Sequence, residues 1–520
     1  MKYLLAIDAG TGSIRAVLFD TKGKQIEVSQ QEWTHKEEQG VPNSMTFDCK
    51  TNWKKVCECI VDVVKKAKID AKDIISLSAT SMREGIVLYD KNGKELWGVA
   101  NVDARASKEV EFLNKKFKNL EKKFYKTSGQ TFALGALPRI LWVKNNLPNV
   151  YKKTANVSMI SDWVLAKLSG QIATDPSNGG TTGIFSLKKR KWSSKMAKEV
   201  GIKNNIFPPV LESGEVLGTV NKEASKQTGL CTDTLVVMGG GDVQLGSAGL
   251  GVTKLGQCAV IGGSFWQQVV NMKSNVTPPS NMSVRVNPHV ISGQSQAEGI
   301  TFFSGLIMRW FRDAFCQYQK DKAKHMNIDA YALLENMASK VPVGSHGIMP
   351  IFSDDMKYGK WYHAAPSFIN LNIDPEICNI ASMFRSLQEN AAIVSAINLT
   401  KIEKFTKVNV DEIVFAGGAS KGQLWPQILA DVTGKKVKIP IVKEATALGC
   451  AICAGVGAGI YKDIDSGVTK LVKWDKKFKP NMKNHKKYQE IINNWKKVYK
   501  SQMELVDKNL TTSMWKAPGI

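Results

Sequence analysis

The stretch Tyr3-Leu-Leu-Ala-Ile-Asp8-Ala-Gly10-Thr-Gly12-Ser-Ile-Arg15-Ala-Val-Leu-Phe-Asp20 decides the fold class. Tyr3 to Asp8 is an apolar run ending in an acid, the pattern of a strand buried on both faces of a sheet. Residues 9–13 supply a turn, with Gly10 and Gly12 permitting a tight reversal, and Ile14 to Asp20 reads as the returning strand. The unit recurs downstream. Gln257–Ile261, Gly262-Gly263-Ser264 and Phe265–Asn271 again read as strand, glycine turn and strand. Glu412–Phe415 runs into Gly417-Gly418-Ala419-Ser420 ahead of a helical stretch, Leu424–Val432. Two halves that each open on strand, glycine turn and strand predict an internally duplicated α/β architecture. A ligand would be gripped in the cleft between them.

Length agrees with this reading. A chain of 520 residues is too long for one core, and the Gly-containing stretch 246–256 is the expected boundary, giving domains 1–247 and 248–520. No linker-like tract separates them, so they are expected to pack together. The apolar run before Asp8 is too short for a secretory signal. Ala445–Ile460, which contains Gly449, Gly455, Gly457 and Gly459, is shorter than the roughly 20 residues of a membrane helix. It is expected as a tightly packed internal helix, and the protein as cytoplasmic, without membrane insertion.

Nine cysteines, without disulfide or zinc spacing, are expected as reduced thiols. Cys57 and Cys59 fall in an amphipathic stretch whose buried face is Trp53, Val56, Ile60, Val63 and Ala67. The net charge of +24 comes almost wholly from lysines spread along the chain, dense only over Lys470–Lys500. No nucleic-acid-binding motif accompanies it, so a solvated lysine surface is expected and no nucleic-acid partner.

The chemistry starts from exclusions: no P-loop, no G-x-G-x-x-G and no H-E-x-x-H. Any phosphate must be handled by glycine turns of another kind. In Asp8–Arg15, backbone N–H groups and the Thr11 and Ser13 hydroxyls can face an anion. Arg15 adds a fixed charge, and Asp8 can hold the water shell of Mg²⁺; a plain hairpin with a capping Asp would look the same. In Val236-Val-Met-Gly239-Gly-Gly-Asp242, three glycines admit a close ligand and set a carboxylate at a strand's end. Asp242 is thus suited to accept a hydroxyl proton, or simply to cap the next helix. In Ser81-Met-Arg83-Glu84-Gly85, with Asn101–Arg105 nearby, Arg83 can donate to a polyhydroxyl compound and Glu84 accept from it. A surface ion pair is the alternative. Gly417–Gly422 and Glu444–Gly449 leave room for adenine and ribose, or for close helix–sheet packing.

In this order the motifs resemble the FGGY family of carbohydrate kinases, from about residue 3 to the C-terminus. The resemblance implies a two-domain actin-like ATPase (ribonuclease H-like) fold with an interdomain cleft, and ATP and Mg²⁺ as cofactors. It implies that Thr11, Gly12, Ser13 and Arg15 of one domain and Gly263 and Ser264 of the other bracket the ATP phosphates. Gly305 and Arg309 would contact the nucleotide, and Gly418 and Gly422 the adenosine. Asp242 matches the family's catalytic base, and Asp8 with Asp242 would hold Mg²⁺ through water. Arg83, Glu84, Asp103 and Asp242 would contact substrate hydroxyls.

The departures are informative. Ser264 stands where many members have Thr, and Arg309 where glycerol kinases have a polar amide. Val243 replaces their amide and Asn101 their substrate-facing tryptophan, which implies a substrate other than glycerol. Further segments, among them Trp361–Ser367 and Trp515–Gly519, resemble one branch of the family. Its members phosphorylate linear dihydroxypentanedione at the terminal primary hydroxyl. The implied partner is therefore a small polyol or dione. A pentulose kinase of the same family and a non-catalytic nucleotide-binding sensor are the alternatives, and a protein regulator or a homodimer is left open.

Overall fold

The computed structural model describes residues 1–116, 119–353, 362–442, 444–517 and 519. Trp361 and Pro518, used in the resemblance above, lie outside them.

The opening hairpin forms as its sequence predicts. Tyr3–Ala9 pairs antiparallel with Ser13–Asp20, Ala9 opposite Ile14. In the resulting six-stranded sheet the order is Val216–Thr219, Leu235–Gly241, Ile74–Ser81, Tyr3–Ala9, Ser13–Asp20, Gln25–Glu32. Its three central partners, Leu235–Gly241, Ile74–Ser81 and Tyr3–Ala9, run parallel. A seven-stranded sheet in the second lobe has the order Arg285–Pro288, Gln294–Thr301, Trp266–Lys273, Cys258–Gly262, Glu412–Gly417, Lys436–Pro440, Trp474–Phe478. Apart from the extra edge strand Arg285–Pro288, both sheets share one plan. Each has an antiparallel meander of three strands, two further strands parallel to its first strand, and an antiparallel edge. That is the duplication foreseen from the glycine turns.

Strand alternation explains how each sheet is covered. Leu5, Ile7 and Ala9 face one side, against Trp53, Val56, Ile60 and Val63 of the helix Cys49–Ala67. Leu4 and Ala6 face the other, against Leu448, Ala451 and Ile452 of the helix Ala445–Gly457. This second cover comes from the far half of the sequence. The second sheet shows the converse. Cys258 and Val260 pack toward the helices Ile380–Thr406 and Leu424–Thr433. On its opposite face, Ala259 packs with Val243 of the helix Asp242–Gly249.

The two exchanged helices cross in backbone contact. A Cβ on Gly249 would lie 1.9 Å from the Ala445 carbonyl oxygen, and one on Gly449 2.1 Å from that of Leu245. Only glycine admits such an approach. A smaller five-stranded sheet (Lys36–Glu38, Val41–Thr46, Glu95–Val99, Ile86–Tyr89, Asn156–Met159) adjoins the first lobe. Residues 82–85 join it to the six-stranded sheet, which sets Arg83 and Glu84 at the junction.

All nine cysteines are free thiols. Among the described residues no helix is long and apolar enough to cross a membrane.

Candidate active site

Three turns at the ends of the first lobe's central strands gather the acidic residues. Asp8 closes the strand Tyr3–Ala9 and is buried. Arg15, on the paired strand, donates from Nη2 to Asp8 Oδ2 at 2.8 Å and from Nη1 to Glu444 Oε2 at 2.7 Å. Burial pushes the Asp8 carboxyl above its ordinary range; Arg15 pulls it back, and Glu444 raises it further. Thr11 and Gly12 are exposed at the tip of the turn, and a Cβ on Gly12 would meet nothing within 4 Å. The turn is pinned from behind, where Trp33 Nε1 donates to the Gly10 carbonyl at 2.9 Å and Asn101 Nδ2 to Thr11 Oγ1 at 3.1 Å.

The glycine run before Asp242 serves close strand packing. A Cβ on Gly239 would sit 1.8 Å from the Ala79 carbonyl oxygen, inside the neighbouring strand, and one on Gly240 2.7 Å from Ser177 Oγ. The Gly241 N–H donates to Ser177 Oγ at 2.8 Å, and Ser177 Oγ in turn donates to Asp175. This buried chain fixes the turn from which Asp242 emerges as the first residue of its helix. Asp242 Oδ1 accepts from its neighbour's N–H, that of Val243, at 2.8 Å. The side chain keeps 40 % of its exposure, yet lies deep among protein atoms. Desolvation pushes its pKa up to about 6; Arg83 opposes this, while Glu84 and Asp8 add to it.

Arg83 and Glu84 do not pair with each other or lie on the surface. Each meets an opposite charge from the second lobe. Arg83 Nη1 donates to Glu298 Oε1 at 2.8 Å and to Oε2 at 3.0 Å, while its Nε stands 3.7 Å from Asp242 Oδ1. Glu84 is ion-paired with Arg285 Nη2 through Oε1. Burial would raise the Glu84 carboxyl, but Arg285 and Arg83 outweigh it and hold the pKa below its ordinary value. Among the described residues, Arg83 Nη2 and Glu84 Oε2 have no hydrogen-bond partner. One donor and one acceptor therefore remain beside Asp242.

The Glu84 backbone is left-handed, φ 68°, an uncommon state for a non-glycine residue. Arg139 steadies the turn by donating to the carbonyls of Glu84 (2.8 Å), Asn101 (2.7 Å) and Asp103 (3.1 Å from Nε). Asp103 differs from the other expected substrate residues. Its carboxylate is fully buried and accepts from Arg105 Nε at 2.8 Å and from the Met45 and Arg105 N–H groups. It has no oxygen facing a ligand.

The nucleotide candidates of the second lobe come together in a separate cavity of about 550 Å³. Gly263, Ser264, Gly305, Arg309, Gly418 and Gly422 all line it. Thr11, Gly12, Ser13 and Arg15 do not; they belong to the facing lobe. The glycines allow backbones to touch: a Cβ on Gly305 would lie 2.2 Å from the Gly263 carbonyl oxygen, and one on Gly417 2.2 Å from that of Gly262. Gly417 also needs its φ of 99°. Glu335, which no sequence motif marks, packs on Gly422 and caps the helix Leu424–Thr433 by accepting the Leu424 N–H at 2.8 Å. A second such residue is Tyr331, whose ring lies 4.8 Å from the Arg312 guanidinium at the cavity wall. Neither could be found from spacing, because both come from the helix Ala330–Ala338, whose sequence carries no turn signal.

Among the described residues no cluster of three or more His, Cys, Asp or Glu side chains is set to hold a metal by itself. The donor set fits Mg²⁺ nonetheless. This ion keeps several waters and takes one or two carboxylates plus substrate phosphates. The Asp8 charge helps to raise the Asp242 carboxyl pKa, a repulsion that a cation would relieve.

The N-terminal domain model of the FGGY family of carbohydrate kinases matches residues 3–249, and the C-terminal domain model residues 272–458. An autoinducer-2 kinase from Enterobacter sp. (strain 638) is 57 % identical over 521 aligned residues, covering 100 % of this chain and 98 % of its own. One from Klebsiella pneumoniae is 56 % identical with the same coverage. Among solved structures, xylulose kinase from Rhodospirillum rubrum superposes with a TM-score of 0.85 at 20 % identity, covering 97 % of this chain and 99 % of the other. Plasmodium falciparum glycerol kinase with ADP gives 0.82 at 19 %, covering 96 % and 98 %. These distant structures establish the actin-like two-domain fold. With both halves matched by its domain models and relatives above half identity along the full length, the chain belongs to the FGGY family of carbohydrate kinases and is an ATP-dependent kinase.

Proposed function

We propose that this kinase phosphorylates autoinducer-2, in its linear dihydroxypentanedione form, at the terminal primary hydroxyl, with Asp242 as general base. The observation that carries the mechanism is the triad of open groups at the ends of two neighbouring parallel strands: the Asp242 carboxylate, Arg83 Nη2 and Glu84 Oε2. Arg83 and Glu84 hold the acceptor's hydroxyl and carbonyl oxygens, and the reacting hydroxyl lies on Asp242. As its oxygen bonds to the γ-phosphorus, its proton passes to the Asp242 carboxylate and the bond to the ADP oxygen breaks. With a pKa of about 6, Asp242 is mostly ionised at neutral pH yet basic enough to share the proton in the transition state.

Thr11, Gly12, Ser13 and Arg15 present donors to the phosphates from one lobe, and Gly263 and Ser264 from the other. Gly305 and Arg309 flank the nucleotide, and Gly418 and Gly422 border the adenosine. Mg²⁺, held through water by Asp8 and Asp242, would supply charge neutralisation on the transferred group. Asp103 acts from behind, its carbonyl holding Arg139. The division of labour corresponds to domains 1–247 and 248–520, both in the cytoplasm.

The substrate reading is supported by the full-length likeness to autoinducer-2 kinases. It is tested by ADP release with Mg²⁺-ATP and, in turn, dihydroxypentanedione, xylulose, ribulose and glycerol. Turnover with dihydroxypentanedione alone is expected. Preference for a pentulose would replace the substrate and keep the mechanism. Nucleotide binding without turnover on any of the four would point instead to a sensor.

A further inference from the structure

We propose that Arg285 and Glu298 are positioning residues for the acceptor substrate, and that the substrate site is built across the two lobes. That pair orients the Arg83 and Glu84 side chains from the opposite lobe.

The geometry is a two-by-two match. Arg83 and Glu84 are consecutive, so their Cα atoms are about 3.8 Å apart. Arg285 and Glu298 are directly opposite on the paired strands Arg285–Pro288 and Gln294–Thr301, a spacing of about 4.5–5.5 Å. Positive then negative on one lobe meets negative and positive on the other, giving Arg83–Glu298 and Glu84–Arg285. All four side chains are buried or nearly so, at 5 %, 0 %, 14 % and 5 % exposure.

Each outer member is itself fixed. Gln244 Nε2 donates to Glu298 Oε1 at 2.6 Å, and Arg285 Nε donates to Gln130 Oε1 at 2.7 Å. The strand carrying Arg285 is sewn to the first lobe by the Val286 N–H donating to the Gly129 carbonyl at 3.2 Å, and by Asn287 Nδ2 donating to that of Ser177 at 2.8 Å.

The consequence falls on the two open atoms. Glu298 engages Arg83 Nη1 on both its oxygens and so turns Nη2 away as a free donor. Without it, the nearest acid for a buried guanidinium is Asp242, 3.7 Å from Nε. Arg83 would swing to Asp242 and occupy the acceptor's place. Arg285 likewise holds Glu84 Oε1 and leaves Oε2 free. Without it, Glu84 is a carboxylate facing Asp242, with Arg83 and Arg139 as its remaining counter-charges.

This inference rests on the substrate role of Arg83 and Glu84, and the test separates the two. Glu298→Gln, Arg285→Gln, Arg285→Lys and Arg83→Gln would each be assayed with dihydroxypentanedione and Mg²⁺-ATP, and ADP affinity measured by calorimetry. The expected result is a KM for dihydroxypentanedione at least tenfold higher in Glu298→Gln and Arg285→Gln. The KM for ATP and the affinity for ADP should stay within twofold, and Arg285→Lys should recover part of the loss.

Unchanged acceptor KM in both glutamine variants, with Arg83→Gln impaired, overturns the inference alone. Unchanged acceptor KM in Arg83→Gln overturns the substrate reading beneath it. Loss of ADP affinity in step with acceptor KM, without recovery by Arg285→Lys, shows a merely structural role and also overturns the inference. Should Glu298→Gln fail to fold, the Arg285→Lys and Arg285→Gln pair decides by the same criteria.

Discussion

Replacing Asp242 with Asn should cripple the kinase and stabilise it at the same time. The amide keeps the shape of the protonated acid and removes the charge. In the native protein that charge is unwelcome, since burial, Glu84 and Asp8 together push the pKa from 3.8 up to about 6. A shift of that size corresponds to roughly 3 kcal/mol for a group sealed from water. The Asp242 side chain is 40 % exposed, and solvent screening reduces the gain to about 1–1.5 kcal/mol.

The sign follows from linkage. Below the unfolded pKa, near 3.8, both states are protonated and the carboxyl costs nothing. As pH rises past 3.8 the unfolded chain ionises first, so the penalty grows, and it is complete above about 6. Asp242→Asn should therefore raise Tm by about 1 °C at pH 8, by about half as much at pH 5, and by almost nothing below about pH 3. Turnover should fall by about 10²–10⁴, with ADP binding retained. Calorimetric melting across pH, beside ADP-release kinetics, measures both. Turnover within tenfold of the parent would refute Asp242 as base, and a lower Tm at pH 8 would refute the electrostatic account.

Two further outcomes are expected. Gly305→Ala would place a Cβ 2.2 Å from the Gly263 carbonyl oxygen, displacing the phosphate-side hairpin. The loss in kcat/KM for ATP should approach about 100-fold, with the KM for the acceptor little changed in initial-rate assays. Of the nine thiols, only Cys49, Cys231 and Cys378 are not buried, and desolvation pushes Cys57 and Cys450 up to about 12. A thiol reagent at pH 8 should therefore label no more than these three quickly, and all nine after denaturation.

What could be read from the sequence was local. The hairpins at Gly10–Gly12 and Gly262–Ser264 were legible because strand, turn and strand lie within one short window. Likewise the Trp53–Val63 face of the first helix follows a simple period. The helix expected over Ala445–Ile460 runs Ala445–Gly457, its glycines explained by a backbone crossing that composition alone could not locate.

The candidate residues could be named from their motifs, but not their partners. Arg83 meets Glu298 across 215 positions and Glu84 meets Arg285 across 201, and no local pattern encodes such distances. Asp103 shows the opposite failure. Its sequence neighbourhood resembles that of a substrate contact, while Arg105, two residues on, folds back and consumes its carboxylate. The five-stranded sheet escaped notice because strands such as Lys36–Glu38, exposed throughout, have no apolar alternation to reveal them.

The exchange of covering helices bears on how the chain can emerge from a ribosome. When the first six-stranded sheet is fully synthesised, at Gly241, the helix that covers Leu4 and Ala6 lies some two hundred residues ahead, at Ala445–Gly457. Until that helix appears, one apolar face of a completed sheet has no native cover. Such exposure invites aggregation during synthesis and makes the nascent chain a natural client for chaperones. The same topology bars a simple genetic bisection near residue 250. Each fragment would carry the other's lid, so neither would be soluble by itself, and co-expression would restore both or neither.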